Sequence, residues 1–139
     1  MGTVTVEGEP GRWTVVVRGK LDEAAGAAVH RALRERMSRG EDPRQVLFDL
    51  RDVEDYDVLG RAELTSAHRL VVAGHRRCVY VSERSRIRGL ALLAIREVQD
   101  ANAQPVATLE QGHLWLAEGR LLDAEQGALE QGVRVRPRS

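Results

Sequence analysis

The chain has 139 residues, a length that suits one domain with a single buried core. Its 21 basic and 21 acidic residues cancel to a formal net charge of zero, so overall charge gives no attraction to nucleic acid, and nucleic acid is not predicted as a partner. No apolar run approaches the ~18 residues needed to cross a bilayer, and the first residues lack the pattern of a signal peptide, so we expect a cytoplasmic protein. Cys78 is the single cysteine, which excludes an intramolecular disulfide, and its β-favouring neighbours predict a buried thiol.

The N-terminal part predicts a β-hairpin followed by a helix. Val4 and Val6 alternate with polar residues, a second β-favouring run covers residues 13–18, and residues 8–11, Gly-Glu-Pro-Gly, form the connection. Asp22 is a candidate N-cap for a helix that ends near Gly40. Its apolar residues recur at helical spacing: Ala25, Ala28, Val29, Ala32, Leu33 and Met37.

The central stretch predicts a buried strand, an acidic surface turn and the start of a second helix. Residues 46–50 form a nearly continuous apolar run, as is typical of a strand covered on both faces. Four acids then follow within six positions: Asp52, Glu54, Asp55 and Asp57. Such a density cannot be buried unpaired, so we expect the chain to reach the surface there. The carboxyl ends of central strands are also where ligands and partners usually bind.

The remaining sequence predicts two further strand–helix units and a final helix. The second helix ends at Gly74, a strand covers residues 78–81, and Ser82 is the expected cap of the third helix. A short strand covers residues 105–107, and Thr108 to Gln111 has the spacing of a capping box. The order β-β-α-β-α-β-α-β-α predicts an α/β domain over residues 1–123. Its mixed, mostly parallel sheet of about five strands has about four helices packed on it, and residues 124–139 form a frayed C-terminal tail.

The turn after the central strand resembles that of STAS domains, which include bacterial anti-sigma-factor antagonists and SpoIIAA-like proteins. The matching positions are Asp49-Leu50, Val53-Glu54, Asp57 and Gly60. In that family a serine between the last two is phosphorylated to switch partner binding. Val58 and Leu59 occupy the serine positions here and have no hydroxyl group, so we expect no phosphoswitch at this turn, and Thr65 and Ser66 are the remaining candidates. The resemblance implies a non-catalytic regulatory module that binds a protein partner and needs no cofactor.

Two surfaces are candidate binding sites. The first is the partner-binding edge formed by Asp57, Val58, Leu59, Gly60 and Arg61. The second is an anion site formed by Arg84, Arg86 and Arg88, because cations are disfavoured in the first turn of a helix and something must offset that cost. The alternative for these arginines is that they point into water or pair with Glu83 and the acidic turn.

Several alternatives stay open at the level of sequence. The wide apolar stripe of the third helix, Leu90, Leu92, Leu93 and Ile95, fits a small lipid carrier. Leu92 and Leu93, together with Trp115 and Leu116 of the last helix, fit a homodimer. The three arginines of the anion site fit contact with lipid head groups at a membrane surface. No motif for a catalytic nucleophile or a phosphate loop is present, so an enzyme is not predicted. No metal site is predicted either, because the acids lack a calcium-loop spacing and the histidines are scattered. We expect His30, His68, His75 and His113 at the surface or at helix caps.

Overall fold

A computed structural model describes residues 2–119. The predicted order of elements is confirmed over this range. The strands are β1 (Thr3–Glu9), β2 (Arg12–Leu21), β3 (Gln45–Tyr56), β4 (Arg77–Val81) and β5 (Ala103–Val106). The helices are α1 (Glu23–Ser38), α2 (Val58–Ala73), α3 (Ser85–Val98) and α4 (Leu109–Glu118). The predicted domain boundary at residue 123 and the tail 124–139 lie outside the described residues.

The five strands form one mixed sheet in the order β1-β2-β3-β4-β5. β1 and β2 are the predicted antiparallel hairpin, and each later strand lies parallel to the one before it. Gly11 closes the hairpin with φ +87°, a conformation that glycine adopts without steric cost. Since every parallel pair is joined through a helix, α1, α2 and α3 return the chain from the carboxyl edge of the sheet to its amino edge.

Each face of the sheet has its own apolar cluster. The larger cluster lies under α1, α2 and α3 and includes Val15, Phe48, Tyr80, Leu64 and Leu90. The smaller one lies under α4 and consists of Leu47, Val79, Val81, Val106 and Leu116, with Leu109 and Trp115 packed against it. Strands covered on both faces account for the continuous apolar run of β3, and the separate position of α4 accounts for the apolar residues near its end.

Local capping signals in the sequence identified most helix ends. Asp22 caps α1, and Thr108 with Gln111 forms the predicted capping box of α4. Ser82 was predicted to cap α3, and this is wrong, because the N-cap is Arg84, which makes no side-chain capping bond. The Ser82 hydroxyl instead accepts a hydrogen bond from the N–H of Arg84, at 3.1 Å, in the loop before the helix.

The predicted acidic turn after residue 50 is in fact a continuation of the strand. β3 runs on to Tyr56 and keeps pairing with β2, with Asp52 opposite Arg18 and Asp55 opposite Lys20. The register shifts twice along this extension, between Val16 and Arg18 and between Gly19 and Lys20, and each shift places one extra residue in β3. The acids Asp52, Glu54 and Asp55 are exposed, as expected, while the backbone between them stays in the sheet.

Candidate functional site

The first turn of α2 follows directly on the extended end of β3. Asp57 is the N-cap, and its Oδ1 accepts a hydrogen bond from the Gly60 N–H at 2.8 Å. Asp57 therefore marks the start of α2. Lys20 Nζ lies 4.0 Å from Asp57 Oδ2, and the Asp57 N–H donates to the Leu21 carbonyl at 3.3 Å, so β2 also holds this turn in place.

Two glycines bring α2 close to the start of α1. A Cβ atom on Gly60 would collide with the carbonyl group of Leu21, and one on Gly26 would lie 2.6 Å from Glu63 Cβ. Both contacts leave no room for a side chain, because backbone and Cβ atoms cannot rotate away. Gly60 is thus needed for steric reasons, and the first turn of α2 is fixed against the junction between β2 and α1.

The same turn exposes its two aliphatic side chains. Val58 is 69 % and Leu59 is 54 % exposed, although both are large apolar residues. Arg61 is also exposed, and its guanidinium has no hydrogen-bond or ion-pair partner among residues 2–119. We call residues Asp57 to Arg61 the α2 start. Asp57 and Gly60 hold this turn in place through contacts within the protein. The side chains of Val58, Leu59 and Arg61 are exposed and can contact a partner.

The acidic end of β3 is neutralised by arginines from neighbouring elements. Arg86 Nη1 donates to Asp55 Oδ1 at 2.6 Å, and its guanidinium lies 4.3 Å from the ring centroid of Tyr56. Hydrogen bonds from the Tyr56 N–H and from Arg86 lower the pKa of Asp55. Burial alone would raise the pKa of Asp49, but its hydrogen bonds with the side chain and backbone of Arg51 lower it. These carboxylates therefore stay ionised at neutral pH.

The predicted anion site is made of arginines that already have partners. Arg84 Nη1 donates to the Arg51 carbonyl at 2.9 Å, and Arg88 Nη1 donates to the carbonyls of Ser82 and Glu83, each at 2.9 Å. With Arg86 bound to Asp55, all three side chains tie the start of α3 to β3 and to the β4–α3 connection. The pairing of Arg86 with the acidic stretch agrees with the alternative that the sequence left open. Arg51, Asp52, Glu83 and Arg84 line an open polar cleft of about 750 Å³ beside them.

Solved structures with the same architecture include two anti-sigma-factor antagonists. The unphosphorylated form of the anti-sigma factor antagonist SpoIIAA superimposes with a TM-score of 0.60 at 13 % identity, covering 85 % of this chain and 100 % of that one. An anti-sigma factor antagonist from Mycobacterium paratuberculosis gives a TM-score of 0.63 at 19 % identity, covering 85 % and 96 %. The chain has a SpoIIAA-like fold. The prediction of this fold is confirmed.

A third solved structure extends the likeness beyond the antagonists. An uncharacterised protein with a SpoIIAA-like fold from Shewanella loihica gives a TM-score of 0.56 at 9 % identity, covering 83 % of this chain and 93 % of that one. No family model matches the sequence, and no curated protein matches it. At these identities the likeness establishes the SpoIIAA-like fold, and the function has to be argued from the residues.

Within this SpoIIAA-like fold, the two phosphorylation candidates that the sequence left, Thr65 and Ser66, differ in accessibility. Thr65 is 5 % exposed, and its Oγ1 donates to the Arg61 carbonyl at 3.0 Å, which keeps it within the helix. Ser66 is exposed. Of the two residues that the sequence left as phosphorylation candidates, Ser66 is therefore the one that a kinase could reach without local unfolding.

The sequence-based prediction that His68 lies at the surface or at a helix cap is wrong. His68 is 0 % exposed and joins two other elements: its Nδ1 lies 2.6 Å from the Tyr80 hydroxyl on β4, and its Nε2 lies 2.7 Å from Asp100 Oδ2 after α3. Burial lowers the pKa of His68, and the hydrogen bond with Asp100 opposes this only in part. A helical-period signal existed, because His68 stands between Leu64 and Val71 on the buried face of α2.

When the His68 imidazole is neutral, every polar group in this hydrogen-bond network has a partner. Burial raises the pKa of the Tyr80 hydroxyl, which stays protonated and donates to His68 Nδ1. The Nε2–H of His68 then donates to Asp100 Oδ2, and Asp100 Oδ1 accepts from the Asn102 N–H at 2.9 Å. A second proton on the ring would leave two donors facing each other between His68 and Tyr80. This network anchors α2 far from its exposed start.

The apolar stripe of α3 divides between core and surface. Leu90 and Ile95 are buried under the sheet-facing side of the helix, whereas Leu93 is 48 % exposed. Cys78 is buried as predicted, and burial raises its pKa. In the described part of the chain no group of three or more metal-binding side chains is found, and none of its helices is long and apolar enough to cross a membrane.

Proposed function

We propose that the chain is a non-catalytic regulatory module that binds a protein partner through the α2 start. The observation that carries this proposal is the exposure of Val58 and Leu59 on a helix turn that Asp57 and Gly60 hold rigidly. Burying each of these side chains in an interface would contribute about 1–2 kcal/mol, and a preorganised surface loses little conformational entropy on binding. Two of the solved structures with this fold are anti-sigma-factor antagonists, and we propose an anti-sigma factor as the class of partner.

The partner should offer an apolar pocket with a carboxylate beside it. Val58 and Leu59 require the pocket, and Arg61, which has no partner among residues 2–119, requires the acid. Because neither Val58 nor Leu59 can accept phosphate, binding through this turn is not switched by phosphorylation of the turn itself. The module would then be regulated through its abundance, its partner or Ser66.

The test is a pair of matched substitutions of exposed aliphatic residues. Val58→Asp places at the α2 start the kind of negative charge that a phosphoserine would carry, whereas Leu93→Asp makes the same type of change on the exposed side of α3. Partners captured by the wild-type protein are identified by mass spectrometry, and their affinities are then measured with purified proteins. We expect Val58→Asp to weaken binding at least about tenfold, the equivalent of about 1.4 kcal/mol, and Leu93→Asp to leave it unchanged.

Two results would contradict the proposal. One is a Val58→Asp protein that melts like the wild type and keeps the full affinity for every partner. The other is a loss of binding in Leu93→Asp alone, which would move the interface to α3. Arg61→Glu adds a second test, because reversal of this charge should weaken binding to an acidic partner while the fold is unaffected.

A small lipid carrier remains the second candidate from the sequence, together with contact with a membrane surface. Its supporting observation, the wide stripe of α3, is weakened because Leu90 and Ile95 serve the core. Native mass spectrometry of the freshly purified protein separates the two functions: a retained lipid-sized ligand would favour the carrier, and the bare chain would favour the module.

A further inference from the structure

The two edges of the sheet differ in how well they are protected from pairing with another strand. Within residues 2–119, β5 at one edge and β1 at the other each pair with a single neighbour. β5 has four residues, and Pro105 removes one backbone donor from it. β1 has seven residues, contains no proline or lysine, and pairs with β2 without any irregularity of register. β1 therefore lacks the short length, the proline and the bulge that protect many edge strands.

We propose that β1 pairs with β1 of a second copy of the chain, antiparallel and centred on Thr5. In this register Thr5 faces Thr5 of the second copy, Val4 faces Val6, and Thr3 faces Glu7. The inference is independent of the proposed function, since β1 and the α2 start are separate surfaces. It also differs from a dimer formed through the exposed Leu93 of α3.

The sequence of β1 is complementary to itself in this register. Val4 and Val6 lie partly buried on the side of the sheet that α1, α2 and α3 cover, so valine–valine pairs would continue the larger apolar cluster from one copy into the next. A centre on Val6 would instead place Val4 opposite Gly8, and a centre on Val4 would place Val6 opposite Gly2. Only the centre on Thr5 pairs both valines with valines.

The charged residue Glu7 is also compatible with the register centred on Thr5. Glu7 would face the uncharged Thr3 of the second copy, and Thr3 in turn lies opposite Arg18 in the β1–β2 ladder. The carboxylate is thus separated from a cation by one small side chain. The two copies of Glu7 would lie about 13 Å apart along the strands, so like charges do not oppose each other.

A contact from α1 sets the limit of the paired segment. Arg36 Nη2 donates to the Val6 carbonyl at 3.0 Å, and a Cβ atom on Gly8 would lie 2.7 Å from Arg36 Nη1. A carbonyl oxygen has two lone pairs, so Val6 can still accept a backbone N–H, whereas the strand beyond Glu7 is crowded. The free segment is therefore Thr3 to Glu7, and its midpoint is Thr5.

Cysteine cross-linking tests the register directly. The wild-type protein should not cross-link, because its one cysteine, Cys78, is buried. Thr5→Cys should form an intermolecular disulfide under mild oxidation, since the two copies of residue 5 face each other. Thr3→Cys is the matched control on the same exposed face, and its two copies would be about 13 Å apart, well beyond the ~7 Å limit for Cα atoms. The double variant Thr3→Cys/Glu7→Cys should cross-link again.

Sedimentation of the full chain over a range of concentrations provides the second readout. We expect a concentration-dependent dimer that Thr5→Lys weakens by up to about fivefold, because the new lysines would face each other across the two-fold axis. Val58→Asp should leave the dimer intact. A monomer at every concentration would overturn the proposal. So would a Thr3→Cys protein that cross-links as fast as Thr5→Cys, or a dimer that Thr5→Lys does not weaken.

Discussion

The starts of α2 and α3 occupy equivalent places, at the carboxyl ends of neighbouring parallel strands, yet they are built in opposite ways. α2 begins with a side-chain cap and a glycine packed against backbone, and its aliphatic side chains point into solvent. α3 begins without a side-chain cap, and its arginines are bound to carbonyl oxygens and to Asp55. The comparison shows that the charged side chains at the start of α3 are bound within the protein. At the less charged start of α2, by contrast, side chains are free to contact a partner.

The largest effect is expected from closing the space that holds the α2 start. Gly60→Ala places a methyl group against the Leu21 carbonyl, and we expect a loss of about 2–3 kcal/mol in the free energy of unfolding, because backbone must move. Gly89→Ala on α3 is the matched control, since no heavy atom lies within 4 Å of its built Cβ. This change should stabilise the protein by about 0.5–1 kcal/mol through helix propensity. Urea unfolding measures both, and a Gly60→Ala protein as stable as the wild type would refute the packing argument.

The second effect concerns the buried hydrogen bonds of His68 with Tyr80 and Asp100, which anchor α2. Tyr80→Phe removes the donor to His68 Nδ1 and should cost about 1–3 kcal/mol, because a buried acceptor is left unsatisfied. Unfolding by urea at pH 7.5 would show this loss. If Tyr80→Phe were neutral, the hydrogen bond would not be part of the anchor.

The same anchor predicts a dependence of stability on pH. The pKa of His68 is lowered in the folded protein, so the unfolded chain binds the proton more readily. The contribution of the neutral imidazole is complete above the unfolded pKa of about 6.5, and it decreases as the pH falls from there toward the lowered folded pKa. We expect His68→Gln to lose this slope below about pH 6.5. An unchanged slope in the variant would assign the titration to another group.

A smaller effect is expected at the start of α3. Arg84→Ala removes the hydrogen bond to the Arg51 carbonyl and should cost about 1 kcal/mol, with faster amide hydrogen exchange at the end of β3, residues 51–56. Arg61→Ala on α2 should change stability by less than about 0.5 kcal/mol, since its guanidinium has no partner among the described residues. Equal effects of the two substitutions would remove the distinction between the two helix starts.

The smallest effect on stability is expected for the residue proposed to matter most for binding. Val58→Asp changes an exposed side chain and adds an acid in the first helical turn, where the macrodipole favours it. We expect the free energy of unfolding to stay within about 0.5 kcal/mol of the wild-type value. A loss of about 2 kcal/mol or more would mean that Val58 belongs to the core and that binding data for this variant report unfolding.

Local patterns in the sequence predicted the order of elements, the N-caps of α1 and α4 and the two-face burial of β3. They also predicted that the acids Asp52, Glu54 and Asp55 are exposed. They did not predict that β3 continues to Tyr56, because an acidic run looks the same on a turn and on an exposed strand end until its partner strand is known. The arginines of α3 suggested an anion site for a similar reason, since Arg84 and Arg86 find their acceptors on β3, more than 30 positions away along the chain.

The sequence by itself determined what depends on neighbours along the chain: hairpin, helix caps, apolar periodicity and the missing hydroxyl groups at positions 58 and 59. Only the tertiary structure decided which side chains face water. Val58 and Leu59 could equally have been core residues, and they are exposed because Gly60 presses the helix start against the Leu21 carbonyl. His68 is buried because Tyr80 and Asp100, distant in sequence, meet its two ring nitrogens. Burial is a property of packing between elements, and single residues in sequence do not specify it.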